Sequence, residues 1–183
     1  MKRLISVILA VLVMQCAWAQ KGQHMKFMGI PMGVSITSFH QKLINKGLSY
    51  DQRASRRLPA GSRTYTGSFA GYQADFYVYN DVKSKLVYRA KAIIDRSELS
   101  KAEQIYDELL NMLAQKYDDS YFSDASDTYK CCMIFTNHGR IDLYISKFDA
   151  DYIRYINDYY VVSVDYYDAA SSKAHDGNRM DDL

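Results

Sequence analysis

The sequence predicts an α+β domain of two layers: an antiparallel sheet of about six strands with two helices on one face, arranged as helix-βββ twice. Three observations predict it. Two stretches carry apolar residues at helical spacing, Ile36-Phe39-Leu43-Ile44 and Ala102-Ile105-Tyr106-Leu109-Met112-Leu113. Several other stretches alternate apolar and polar residues, the period of half-buried strands. Two turn-forming clusters, at Ala70-Gly71 and Asn137-His138-Gly139, split those stretches into hairpins. Two helices can cover one face of such a sheet but not both, which selects the two-layer architecture.

Taken in order, residues 1–19 read as a secretion signal. Lys2 and Arg3 precede the apolar run 4–14, and Ala17-Trp18-Ala19 offers an A-x-A cleavage site, so the mature chain is expected to start at Gln20. The rival is a lipoprotein anchored at Cys16, where Gln15 stands in place of the small residue such sites prefer. The run is too short for a lasting membrane span. A periplasmic or secreted protein follows, with a single domain over 20–168.

Residues 27–48 organise the rest. Gly29 and Pro31 punctuate an extended opening, and Gly33 permits a sharp bend. Ser35 or Thr37 can cap a helix whose stripe is Ile36, Phe39, Leu43 and Ile44, and Gly47 is placed to end it. The pattern Phe27-x-Gly29-Ile30-Pro31-x-Gly33-x-Ser35, followed by Phe39 and Leu43, resembles the opening of small secreted proteins of Gram-negative, Bacteroides-type bacteria whose functions are unknown. The helix-then-strands layout, twice over, also resembles the β-lactamase-inhibitor-protein-like architecture and the small outer-membrane assembly lipoproteins. The inhibitor resemblance implies an open sheet face used against a target. No site residue of these groups matches a position here.

Residues 50–62 read as a loop bearing Arg53, Arg56 and Arg57, with Arg63 beyond it. Residues 63–80 form a hairpin turned at Ala70-Gly71, pairing Phe69 with Tyr72, Gly67 with Ala74 and Tyr65 with Phe76. In the third strand, Leu86, Tyr88, Ala90, Ala92 and Ile94 form the core set, and Val87, Arg89, Lys91 and Ile93 face away. A helix over 97–117 follows, with Ser100-x-x-Glu103 as a capping box. Residues 118–128 form an acidic loop whose spacing is not that of a calcium loop.

In the second hairpin, a three-residue loop at Asn137-His138-Gly139 pairs Phe135 with Ile141, Met133 with Leu143 and Cys131 with Ile145. That sends Lys130, Cys132, Ile134, Asp142, Tyr144 and Ser146 to the other face. Cys131 and Cys132, as strand neighbours, point to opposite sides, one to the core and one to the surface. Residues 149–158 are either a helical turn or a short strand. In the last strand Tyr160, Val162, Val164 and Tyr166 face the core, and Tyr159, Val161, Ser163, Asp165 and Tyr167 face out. Residues 169–183 lack the apolar side chains to pack and read as a disordered tail.

Composition narrows the function classes. The chain has 23 Lys+Arg and 21 Asp+Glu, and loss of Lys2 and Arg3 with the signal leaves the two signs equal. A neutral chain has no basic footprint for nucleic acid. His24, His40, His138 and His175 stand in no zinc spacing, and there is no nucleophile motif, phosphate loop or dinucleotide fingerprint, so no cofactor or metal is expected.

The chain has 17 Tyr against 7 Phe, and Tyr suits surfaces that are half dry and half wet. The face away from the helices gathers Tyr77, Tyr79, Arg89, Lys91, Ile93, Ile134, Tyr144, Tyr159 and Tyr167, and Tyr with Arg is what protein interfaces favour. The expected function is a non-enzymatic binding module whose binding residues are Tyr77, Tyr79, Arg89, Lys91, Tyr144, Tyr159 and Tyr167, with an envelope protein as partner. The alternatives are a small envelope enzyme working from the 53–63 and 118–128 loops, or a structural or self-associating subunit.

Overall fold

The computed structural model describes residues 24–94, 96–118, 120–124, 130–148 and 159–180. The expected signal segment, Cys16, the 149–158 segment and residues 119 and 125–128 of the acidic loop lie outside them. Among the described residues no helix is long and apolar enough to cross a membrane.

The described residues open with a two-stranded hairpin, β1 (Lys26–Phe27) and β2 (Ile30–Pro31), turned at Met28 and Gly29, both with positive φ. Helix α1 (Ile36–Asn45) follows, with Ser35 as N-cap accepting from Ser38 N at 3.3 Å. Then come β3 (Ser49–Tyr50), the one-turn helix α2 (Gln52–Ser55), β4 (Ser62–Phe69), β5 (Tyr72–Asn80) and β6 (Val87–Ile94). Helix α3 (Leu99–Lys116) begins the second half, followed by β7 (Tyr121–Asp124), β8 (Cys131–Thr136), β9 (Gly139–Phe148), β10 (Tyr159–Asp168) and helix α4 (Ala169–Met180).

The fold is α+β, as expected. β3 to β10 form one antiparallel sheet of eight strands in the order β3-β4-β5-β6-β10-β9-β8-β7. Each long helix is therefore followed by a four-stranded meander, and the two meanders join edge to edge at β6 and β10. The two strands beyond the expected six are the short edge strands β3 and β7; β7 occupies part of the expected acidic loop. Both long helices lie on one face. Ile36, Phe39 and Leu43 of α1 and Ala102, Ile105, Tyr106, Leu109 and Leu113 of α3 share a single core with Tyr65, Phe76, Val78, Ala90, Ala92, Val164 and Leu143 of the sheet.

The N-terminal hairpin plugs this core. Phe27 is fully buried, edge-on to Tyr166 at 5.2 Å and to Phe76 at 6.2 Å. Gly33 N donates to Val87 O at 2.8 Å, and Val87 N to Val34 O at 3.0 Å, which ties the stretch to the start of β6. That tie corrects the third strand. Val87, expected to face away, is buried, and Leu86 is only half-buried, because the register shifts at Tyr79/Asn80 and pairs Asn80 with Val87.

The first hairpin has the expected register, Tyr65 opposite Phe76 and Gly67 opposite Ala74. The second does not. Its turn holds two residues, Asn137 and His138, and pairs Ile134 with Ile141 and Cys132 with Leu143. Cys132 and Ile134 are thus core residues, while Phe135 is turned outward and 41% exposed. Two features select this register. Thr136 Oγ1 accepts from His138 N and Gly139 N, both at 3.1 Å, closing the shorter turn. Gly139 then lies against β10, where a Cβ would stand 1.9 Å from Tyr167 O, so only glycine fits.

Helix α3 differs at two points. Its N-cap is Glu98, with no side-chain capping bond, so Ser100 lies inside the helix and the expected capping box does not form. Ser97 instead bridges to Tyr160 through both backbone bonds, at 2.9 and 2.8 Å. Met112, assigned to the buried stripe, is 50% exposed.

The expected disordered tail is a helix over Ala169–Met180. Asp168 is fully buried and accepts from Ser171 N at 2.9 Å, a capping bond, and from Met25 N at 2.7 Å. Farther along, His175 stacks on Tyr88 at 4.2 Å and bonds Asp81 at 3.0 Å. The helix docks through polar and aromatic contacts, which a search for apolar residues overlooks.

Candidate binding face

The sheet face away from α1 and α3 is built in rows, because strand neighbours in register point the same way. One row crosses Tyr79 (β5), Arg89 (β6), Tyr167 (β10) and Arg140 (β9). The next crosses Tyr77, Lys91, Asp165 and Asp142. A third crosses Asp75, Ile93, Ser163 and Tyr144.

The first row is a stack of alternating rings and guanidinium groups. Arg89 Cζ lies 4.8 Å from the Tyr79 ring centre and 4.9 Å from that of Tyr167, and Arg140 Cζ lies 4.7 Å from Tyr167 on β10. Each cation also meets a carboxylate of the second row. Arg89 donates from Nε to Asp165 Oδ1 at 3.0 Å and from Nη2 to Asp165 Oδ2 at 2.5 Å. Arg140 donates from Nη2 to Asp142 Oδ2 at 2.9 Å; its Nε lies 2.8 Å from Asp142 Oδ1 without hydrogen-bond alignment. Tyr167 OH donates to Asp165 Oδ2 at 3.2 Å.

These contacts show in the proton affinities. Hydrogen bonding to Asp165 raises the pKa of Arg89 further above its ordinary value. Burial pushes the Tyr167 phenol up to about 12, and the Asp165 charge adds to it. Burial raises Tyr79, opposed by the Arg89 charge, and raises Tyr77, with Asp75 adding to it. Burial also raises Asp142, against the lowering charge of Arg140.

The expected site residues thus divide. Tyr79, Arg89 and Tyr167 share this face, but Arg89 and Tyr167 direct their polar groups to Asp165, and the Tyr79 ring lies against Arg89. Their arrangement is a platform of mutually packed side chains. Tyr77, Lys91 and Tyr144 stand together beside it, with Lys91 Nζ 5.2 Å from the Tyr144 ring centre. Tyr159, half-buried, sits by strand alternation on the same face at the start of β10. Ile134 is excluded, being a fully buried core residue.

Three residues that sequence reasoning sent to solvent are buried. Asp165 and Ser163 are each 1% exposed, and Val161 is 9% exposed. β10 is central, and long side chains from β6 and β9 fold over its shorter ones. The signal lay in the strand itself: YYVVSVDYYD is nearly continuous in apolar and aromatic residues, which marks a strand covered on both faces.

A hollow of about 400 Å³ opens beside the platform, bordered by Tyr77, Lys91, Ile93, Val161 and Ser163. A larger one, about 700 Å³, lies among Lys26, Lys116, Asp118, Phe135 and His138. None of the larger hollow's side chains carries a buried polar atom without a partner among the described residues, whereas Ser163 in the smaller one does. None of the arginines of the 53–63 loop joins either hollow; Arg63 lines a third beside the start of α1.

Compared with known protein families, curated proteins and solved structures, the chain matches none.

Proposed function

We propose that the chain is a periplasmic or secreted, non-enzymatic binding module that works through the sheet face opposite α1 and α3. One observation carries the reading: Tyr77 and Lys91 rim a hollow, with the Tyr144 ring against Lys91, beside a platform whose rings and guanidinium groups already hold one another in place. A pre-ordered surface loses little side-chain entropy on binding. Tyr presents large area with a polar tip, the composition of binding hot spots. The resemblance in layout to inhibitor proteins that use an open sheet face points the same way. Asp142, a carboxyl group whose proton affinity burial raises, lies on this face.

The test is capture from envelope extract with the chain from Gln20 onward as bait. A Tyr77→Ser/Tyr144→Ser variant, shown by circular dichroism to be folded, is compared with a Lys101→Glu control on the exposed side of α3. Loss of a captured partner in the first and its retention in the second supports the face. Identical capture by all three removes it.

A further inference from the structure

The first row differs from the second and third in how its polar side chains are satisfied. Arg89 and Arg140 each have a carboxylate, Asp165 and Asp142. Lys91 pairs in register with Asp165, but both oxygens of that carboxylate are taken by Arg89. Among the described residues Lys91 meets the Tyr144 ring and no carboxylate. One position along β10, on the same face, Ser163 is 1% exposed, and its Oγ finds no hydrogen-bond partner among the described residues. Buried hydroxyl groups are rarely left so.

Both groups border the same hollow, and both donate. Tyr77, the other register partner of Lys91, lines it too; its raised pKa keeps the phenol protonated at neutral pH, and so a donor. Beside Ser163 the lining has an apolar floor from Ile93 and Val161, extended by Ala74 and Ile94, and Gln73, Asp75, Arg96 and Ser146 complete its polar edge. About 400 Å³ falls within the range of small-ligand sites. An ammonium and hydroxyl donors above an apolar floor match a singly charged acid with a short hydrocarbon group. A phosphate would call for forked cations, but Arg89 and Arg140 are engaged with carboxylates and do not line the hollow, and Arg96, which does, has a partner of its own.

We propose that the hollow between Lys91 and Ser163 is a subsite for a carboxylate carrying a short apolar group, one oxygen taking the Lys91 ammonium and the other the Ser163 hydroxyl. The proposal deepens the binding-face reading and rests on it. The same chemistry is presented by a free small acid and by the C-terminal end of a peptide.

The experiment titrates the ¹⁵N-labelled chain from Gln20 onward with 3-phenylpropionate and with N-acetyl-Ala-Phe bearing a free carboxylate, each against its carboxamide. Binding is followed by amide shifts near Lys91 and Ser163. At least one acid is expected to bind, with its carboxamide weaker by about tenfold, the loss of one charge-assisted contact. Lys91→Gln is expected to weaken the acid about tenfold, and Ser163→Ala several-fold. Ser163→Ala removes an unpartnered hydroxyl and leaves the packing, so the folded state is retained for the comparison. Preference for the free acid or for the peptide identifies the source. The proposal is overturned if neither acid binds, if the carboxamides bind as well as the acids, or if both variants bind as the parent does. Failure here with capture through Tyr77 and Tyr144 intact removes the subsite and leaves the face; acid binding with no such capture leaves the subsite and removes the macromolecular partner.

Discussion

Arg89 on β6 bonds Asp165 on β10 diagonally, passing over its own register partner Tyr167. The guanidinium keeps 30% of its side-chain surface exposed and the carboxylate 1%, so one partner reaches solvent and the other depends on the pair. Tyr79 and Tyr167 close over the guanidinium on either side.

Removing one charge should therefore cost more than removing both. Asp165→Asn is expected to lower stability by roughly 2–4 kcal/mol, because a partly desolvated guanidinium loses its counter-charge. The double variant Arg89→Met/Asp165→Leu should lose less than the sum of its single changes. Urea unfolding of the parent, Asp165→Asn, Arg89→Met, Asp165→Leu and the double variant measures this. An Asp165→Asn midpoint equal to the parent's would show that the pair does not hold the platform.

Tyr167 sets an alkaline limit. Its phenol titrates at about 12 in the folded chain against an ordinary value of 10.0, so the folded state holds the proton more tightly than the unfolded. The stability this contributes is fully present below pH 10.0 and is lost as pH rises through about 12. Absorbance at tyrosinate wavelengths should show that Tyr167→Phe removes a late-titrating phenol, and the variant should lose less stability than the parent across that window. A missing phenol that titrates at the ordinary value would contradict the assignment.

The two hairpin glycines should respond differently to alanine. Gly71 has φ +89° with nothing within 4 Å of an added Cβ, so Gly71→Ala meets only backbone strain, about 1–2 kcal/mol. Gly139→Ala drives a Cβ to 1.9 Å from Tyr167 O and must displace β9 from β10. A loss of roughly 3 kcal/mol or more is expected, in the range of severe core changes. Thermal unfolding of the pair decides it; equal losses would mean the close approach of β9 and β10 gives way at little cost.

Asp168 joins the two ends of the described chain. It accepts from Met25 N and Ser171 N and meets His24 Nδ1 at 2.9 Å. Asp168→Ala should speed hydrogen exchange at the Met25 and Ser171 amides together, by about tenfold or more, while leaving Phe76 and Val164 protected. Unchanged protection at both amides would show that the hairpin and α4 are held by other contacts.

How much was legible in the sequence depended on how local the cause was. The β4–β5 register follows from Ala70-Gly71, whose positive φ values make the turn by themselves. The stripe of α1 and its Ser35 cap were readable for the same reason. The β8–β9 register was not, since Thr136 Oγ1 and the approach of Gly139 to Tyr167 choose between turns that local propensity leaves close in energy. Val87 was assigned to the wrong face because the irregularity at Tyr79/Asn80 breaks strict alternation. Tyr77, Tyr79, Arg89, Lys91, Tyr144 and Tyr167 were placed on the face away from α1 and α3 by parity alone, and Asp165 beneath them was mistaken for a solvent-facing group.

Periodicity and turn chemistry act within a few residues, so the sequence by itself determined the α+β class, the two covering helices and a second face rich in Tyr and cations. Strand order is a different kind of fact. Arg89 and Asp165 stand 76 residues apart, and only the pairing of β6 with β10 brings them together. The same pairing buries Ser163 beside Lys91 and makes a platform and a hollow from residues that, read along the chain, are ordinary outward positions. The tertiary structure decided those features, because contacts between distant strands depend on which edges join, and no local pattern encodes that choice.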